Sequence, residues 1–172
     1  NNNQIIKDLG FKPKKKYKYE LVEKIIVKLP KKFKNKSFIV LDGNFVCVDP
    51  LLETNYHLLS NVKHSKIEKI ISYFPNFKSK LKNYINYEKI KNIKKSRFKE
   101  FISDGSKYLP FLKDSKYIKS IYVVRTIKSH KEKSDDRTNE IEIVNQKIIS
   151  ILSGKWNTCV TIAKEIEEML RK

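Results

Sequence analysis

From Tyr17 to Leu29 the chain alternates between apolar and polar residues. Tyr17, Tyr19, Leu21, Ile25, Val27 and Leu29 fall on one side, and Lys18, Glu20, Lys24 and Lys28 on the other. A period of two over this length is that of a strand, not a helix. The run predicts a long strand, half-buried, ended by Pro30. A strand of that length needs partners, and the next residues supply them. Residues 37–41 and 44–49 flank Asp42-Gly43, a pair that suits the positive φ angles of a tight hairpin turn. Residues 54–60 predict a further strand, so 17–60 forms an antiparallel meander.

The spacing changes in the middle of the chain. Ile67, Ile70, Ile71 and Phe74 have helical intervals, as do Phe77, Leu81, Tyr84 and Ile85, with Ile93 a weaker member. Phe98, Phe101 and Ile102 predict a short helix ended by Gly105 as a left-handed residue after the last turn. Strand pattern returns at 121–127. Residues 128–139 are polar, a loop, and 141–144 and 147–152 flank Asn145-Gln146 as a second hairpin. The chain closes with a helix over 156–170 whose apolar stripe is Val160, Ala163, Ile166, Met169 and Leu170. A short helix over 4–9, stopped by Gly10, precedes all of this. The order implies an α+β fold, with a mixed or antiparallel β-sheet, helices on one side and a closing strand–turn–helix.

The 172 residues suffice for one domain with a core of its own. Four glycines, none near another, exclude both G-x-G-x-x-G and the phosphate-cradling G-x-x-x-x-G-K-[ST]. Cys47 and Cys159 have no zinc spacing with the three histidines, and they read as small core residues in a reducing setting. No apolar run reaches the roughly 20 residues of a membrane-spanning helix. The formal charge is +19, from 38 basic and 19 acidic residues. Only four of the basic residues are Arg, and Lys, Asn and Ile, all with AT-rich codons, are abundant. Codon bias therefore accounts for much of the lysine, and the charge alone does not make a nucleic-acid footprint.

Residues 148–169 carry the strongest chemical signal. A strand runs into Ser153-Gly154-Lys155-Trp156-Asn157-Thr158 and straight on into a helix. The first-turn N–H groups of a helix have no partner inside it, and the dipole adds positive potential there. Glycine lets a ligand come close to the backbone. An ordinary strand-to-helix turn capped by Asn157 or Ser153 fits the same residues.

Four stretches together resemble the C-terminal part of D-amino-acid-oxidase-like FAD-dependent oxidoreductases. Tyr19-Glu20-Leu21 through Lys28-Leu29-Pro30 is similar to the long strand entering the family's substrate domain. Val40-Leu41-Asp42-Gly43-Asn44 through Pro50, with Tyr56-His57-Leu58 through His64, is similar to a hairpin-and-strand block. Tyr122-Val123-Val124-Arg125-Thr126 with Asp135-Asp136-Arg137-Thr138 resembles the family's arginine strand and aspartate turn. Ser153-Gly154-Lys155 to Thr158 resembles its glycine–threonine return to the flavin. The likeness spans nearly all of residues 1–172. Thr126 replaces a common proline, Lys155 and Trp156 replace smaller residues, and the N-terminal nucleotide-binding half has no counterpart.

The resemblance implies a connecting helix and linker over 1–16, a substrate domain over 17–146, and a strand–helix over 147–172 that belongs with the flavin-binding domain. It implies an enzyme that oxidises an amine or amino-acid-like substrate by hydride transfer to FAD, with this chain inactive and binding FAD weakly or not at all by itself. Arg125 would pair with a substrate carboxylate, His64 would face the substrate, and Tyr122 would line the pocket, although alternation puts Tyr122 on the face of Val124 and not on that of Arg125. Ser153, Gly154, Lys155, Trp156, Asn157 and Thr158 would contact the flavin. No catalytic side chain and no metal are implied. The expected partners are the small-molecule amine and an N-terminal FAD-binding region in the same or another chain, with no specific nucleic acid and no membrane, in the cytoplasm. Two other readings stand beside this one. A small basic nucleic-acid-binding module would need exposed aromatics among Tyr73, Tyr84, Tyr87 and Phe77 on a lysine face. A structural or interaction protein would keep the fold without the chemistry.

Overall fold

The computed structural model describes residues 2–41, 45–82, 96–129 and 139–171. The fold is α+β with antiparallel sheets. The elements in chain order are α1 (Asn2–Asp8), β1 (Tyr17–Lys28), β2 (Phe38–Val40), β3 (Val46–Pro50), β4 (His57–Asn61), α2 (Val62–Ser65), β5 (Lys66–Ser72), α3 (Ser79–Lys82), α4 (Phe98–Gly105), β6 (Lys116–Lys128), β7 (Glu140–Asn145), β8 (Ile148–Leu152) and α5 (Cys159–Leu170). The chain divides into two compact units. The first takes Asn1–Tyr19, Ile71–Pro75 and Thr126–Lys172, the second Glu20–Ile70 and Asn76–Arg125.

In the second unit β1 holds the central place. It pairs with β4, β5 and β6, and the sheet runs β2-β3-β4-β1-β5. Strands β2, β3 and β4 are successive antiparallel neighbours, and β1 lies beside β4, with Ile25 opposite Leu59 and Val27 opposite His57. The expected meander is therefore closed as a Greek key. The central place also changes β1 itself. Both of its faces are buried, and Glu20 and Glu23 are each only 1% exposed. Alternation marked Glu20 as facing solvent, because a sequence shows which residues share a face and not how many faces are covered.

The core of this unit joins Ile25, Val27 and Leu29 of β1 to Val46, Val48 and Leu59, under Phe101 of α4 and Leu112. Each fully buried side chain of this kind stabilises the fold by about 1.5–3 kcal/mol relative to exposure. Phe33 stacks on Phe111 at 4.1 Å between ring centroids, and Phe38 packs against both. Helix α4 forms where its apolar spacing predicts. Gly105 is its last residue and not a left-handed cap. A Cβ there would lie 2.9 Å from Leu112 Cδ1 and 3.4 Å from Val46 Cγ1, so the site has no room for a side chain.

The helix expected around Ile67, Ile70, Ile71 and Phe74 is instead β5. Its three isoleucines are β-branched and suit a strand as well as a helical stripe, and pairing with β1 decides the outcome. After Phe77, α3 (Ser79–Lys82) holds Leu81 of the expected helix, and Tyr84, Ile85 and Ile93 lie outside the described residues, as do Asp42-Gly43 and Asp135-Asp136-Arg137-Thr138.

In the first unit, α1 ends at Gly10, whose φ is 83° and whose N–H donates to the Lys7 carbonyl at 2.9 Å. Asn2 ties α1 to β8, donating to Ser150 Oγ at 3.1 Å and the Ile151 carbonyl at 2.7 Å. Asn3, 1% exposed, donates to the carbonyls of Lys15 and Tyr73. β7 and β8 form the expected second hairpin, with Asn145 Oδ1 accepting from Lys147 N at 2.9 Å in the turn. The predicted stripe of α5 is not its buried face. Ile162 is buried, Ile166 half-buried, and Val160, Ala163, Met169 and Leu170 are exposed. Nor are both cysteines core residues, since Cys47 is half-buried and Cys159 exposed.

Candidate functional site

Three side chains expected to meet a substrate lie in the second unit, and each meets a carboxylate of the chain. Arg125, on β6, donates from Nε to Glu20 Oε2 at 3.1 Å and also from Nη2. Lys66 Nζ stands 3.8 Å from the other oxygen of Glu20. A planar guanidinium suits such two-point pairing. Arg125 keeps 40% of its side chain exposed while Glu20 is buried.

Tyr122 is buried and donates to Glu23 Oε1 at 3.4 Å. Ser96 and Ser120 donate to the same oxygen, and Arg97 N donates to Oε2 at 3.2 Å. Ser120 also bonds to Ser96 and to the Tyr117 hydroxyl. Positions 20 and 23 of a strand face opposite ways. The structure therefore places Arg125 and Tyr122 on opposite faces of β1 and does not join them in one pocket.

His64, in α2, sits beside a third buried carboxylate. Asn61 caps α2, its Oδ1 accepting from the N–H groups of Lys63 and His64 at 2.9 and 3.1 Å. Its Nδ2 donates to Asp104 Oδ2 at 2.9 Å. His64 Nε2 and Lys63 Nζ lie 3.8 Å from the Asp104 carboxylate and Lys107 Nζ 3.6 Å. The Asn61 hydrogen bond holds the Asp104 carboxyl below its ordinary value against the opposing effect of burial, and Lys63, His64 and Lys107 add to it. These residues open onto a groove of about 420 Å³ that Lys99 and Ser103 also line. His57, the other histidine of the block, is buried in β4, and burial lowers its basicity.

In the first unit the expected flavin contacts form a turn clamped by one amide. Strand β8 ends at Leu152, Trp156–Thr158 is a 3-10 turn, and α5 follows. Asn139 Oδ1 accepts from Gly154 N at 3.1 Å and from Thr158 Oγ1 at 2.8 Å. Thr158 Oγ1 also lies 2.6 Å from the Lys155 carbonyl, and Ser153 Oγ donates to that carbonyl at 3.0 Å. Neither Ser153 nor Asn157 caps the helix. Thr158 holds the cap position without a side-chain cap bond. Ser153, Lys155 and Asn157 are exposed and Gly154 is half-buried. The turn is thus fixed by Asn139, and it leads into α5, whose own first-turn N–H groups, from Cys159 on, have no acceptor within the helix itself. Such a turn fits the electron-rich edge of a flavin ring through backbone N–H groups and Lys155, but Gly154 N–H and the Thr158 hydroxyl are already engaged.

Sequence reasoning did not single out Glu20, Glu23, Asn61, Asp104 or Asn139. Asn61 is a residue type that caps helices, but the helical spacing in the sequence begins only at Ile67. The others had no local signal, since each acts through a residue far away in the chain.

Elsewhere in this unit, Lys15 pairs with Glu140 at 2.8 Å, and Tyr17 donates to the same carboxylate at 3.0 Å. Burial pushes Glu140 up, and these two hydrogen bonds outweigh it, leaving the carboxyl below its ordinary value. Among the aromatics that a nucleic-acid surface would need, Phe77 is buried, Tyr73 is exposed with Lys16 Nζ 5.5 Å from its ring centre, and Tyr84 and Tyr87 lie outside the described residues. Among the described residues no group of His, Cys, Asp and Glu is placed to hold a metal, and no helix is long and apolar enough to cross a membrane. The chain matches no family model, no curated protein and no solved structure.

Proposed function

We propose that this chain supplies the substrate side and the flavin-contacting strand–turn–helix of a D-amino-acid-oxidase-like FAD-dependent oxidoreductase that acts on an amine. One observation carries the reading. The Ser153–Thr158 turn is held rigid by Asn139 at the mouth of α5, with its outer residues exposed. A turn fixed in this way keeps backbone donors aimed without reorganisation, as stabilising the charge of a reduced flavin requires. When bound, the flavin would accept the hydride from the carbon beside the amine. Lys155 would add positive charge at its edge. The separation of the chain into a unit with α5 and both termini, and a unit with the His64 groove, also suits a substrate domain distinct from the flavin-binding part.

In this reading Arg125 shares its exposed edge between Glu20 and the substrate carboxylate, and His64 lies on the rim of the groove. Tyr122 supports the site from the Glu23 network. The reading includes a cytoplasmic setting and an FAD-binding region in the same or another chain.

The test is expression of the complete reading frame that contains these residues. The product is expected to hold FAD, to be bleached by an amine substrate, and to show quenched fluorescence from Trp156, the single tryptophan. A flavin-free product, or a bound flavin that leaves Trp156 fluorescence unquenched, would overturn it.

A further inference from the structure

Helix α4 carries a second furrow, which shares Lys99, Ser103 and Lys107 with the groove at His64. It has a volume of about 520 Å³, in the range of small-molecule sites. Phe98 and Ile102 form its apolar floor, and the ring of Phe98 is braced by Tyr117 at 5.3 Å between centroids. Lys99, Lys107 and Lys113 stand around it with the hydroxyls of Ser103, Ser106 and Ser115; among the described residues no carboxylate lines it, and Glu100 and Asp104 line the adjoining groove. Asp114 follows Lys113 in the chain but is not part of the wall. Among the described residues Lys99 and Lys113 are in no ion pair, while Lys107 is 3.6 Å from Asp104 and 64% exposed.

Three lysines line this hydroxyl-bearing, half-apolar furrow, and two of them have no counter-charge among the described residues. Codon bias explains how many lysines the chain has. It does not explain why Lys99 and Lys113 share this furrow with Lys107 while only Lys107 meets an acid, when Lys15, Lys63 and Lys78 each meet one. A carboxylate would satisfy one or two of these donors. A phosphate dianion has oxygens for all three, and lysine binds it as a point charge. The Phe98–Ile102 floor then requires an organic body on the phosphate. We propose that this furrow binds a phosphate monoester whose organic part lies on Phe98 and Ile102. The proposal does not depend on the flavin reading.

The test is an NMR titration of the whole chain with phenyl phosphate, with inorganic phosphate and phenol as the separate halves. Saturable shifts are expected at the amides of Lys99, Ser103, Ser106 and Lys107, with weaker saturation by inorganic phosphate at the same amides. The Lys99→Ala/Lys113→Ala variant, which removes two exposed and unpaired groups, is expected to bind about tenfold more weakly. Lys147→Ala/Lys164→Ala removes equal charge from exposed positions of the other unit and is expected to bind like the parent. Linear shifts without saturation, or equal weakening by both double variants, would overturn the proposal. So would a thymidine oligonucleotide that shifts the same amides at lower concentration than phenyl phosphate, which would mark a polyanion surface instead.

Discussion

Glu20 and Glu23 stand three residues apart on β1, are equally buried, and are satisfied in opposite ways. Glu20 meets cations, Arg125 and Lys66. Glu23 meets a shell of neutral donors, the hydroxyls of Ser96, Ser120 and Tyr122 and the Arg97 N–H. The contrast shows two routes by which a central strand can carry a carboxylate. One supplies a counter-charge, at the cost of desolvating both partners. The other rebuilds the hydration shell from side chains, each bond weaker alone and dependent on the rest.

The largest expected difference between the two comes from Arg125→Ala. It removes the two-point pairing of buried Glu20 and leaves Lys66 at 3.8 Å among its partners, and urea unfolding is expected to show a loss of about 3 kcal/mol. Adding Glu20→Gln should restore a large part of that loss. If it restores nothing, the pair is not the source. Ser120→Ala removes one donor of a shell that keeps others, and a loss of about 1.5 kcal/mol is expected by the same measurement. A loss as large as that of Arg125→Ala would mean that the shell acts as a single unit.

Acid supplies a smaller test, since both variants share the same background. Burial holds His57 neutral in the folded chain, so below its ordinary value of 6.5 the unfolded chain takes up a proton that the folded one refuses. Stability is expected to fall as pH drops through that value, and His57→Phe should flatten the slope there. Asp104 adds a second decline. Its folded value is lowered, so its contribution is complete above 3.8 and is lost as pH falls below that toward the lowered value. Asn61→Ala should reduce this second step. The smallest effect is that of salt. Arg125 is partly exposed, so high salt should narrow its gap from the parent by a few tenths of a kcal/mol, about the size of a screened surface pair. The Ser120→Ala gap should not move.

The same strand shows what the sequence made legible. Alternation located β1, the 140–152 hairpin followed from two β-rich runs and an Asn-led turn, and α4 followed from Phe98, Phe101 and Ile102. Ile67, Ile70 and Ile71 misled because their spacing fits a helix while their branching fits a strand, and only the presence of β1 alongside decides. Glu20 and Glu23 were illegible for a related reason. Their donors at 96, 97, 120, 122 and 125 are distant in the chain, and no local pattern announces that β6 will bring them. For α5 the stripe pointed to Val160 and Met169, but Ile162 is the residue covered. The turn at 153–158 was legible as a turn, and its clamp, Asn139, was not.

Asn61 gives its oxygen to the first turn of α2 and its nitrogen to Asp104, so the two ends of its amide cannot be exchanged without breaking both sets of bonds. Hydrolysis of that amide would therefore be no silent ageing lesion. It would keep the cap but set a new carboxylate against Asp104 at hydrogen-bond distance. Deamidation at this one position would thus convert a slow chemical change into a fold that holds together best in acid, where the two groups share a proton.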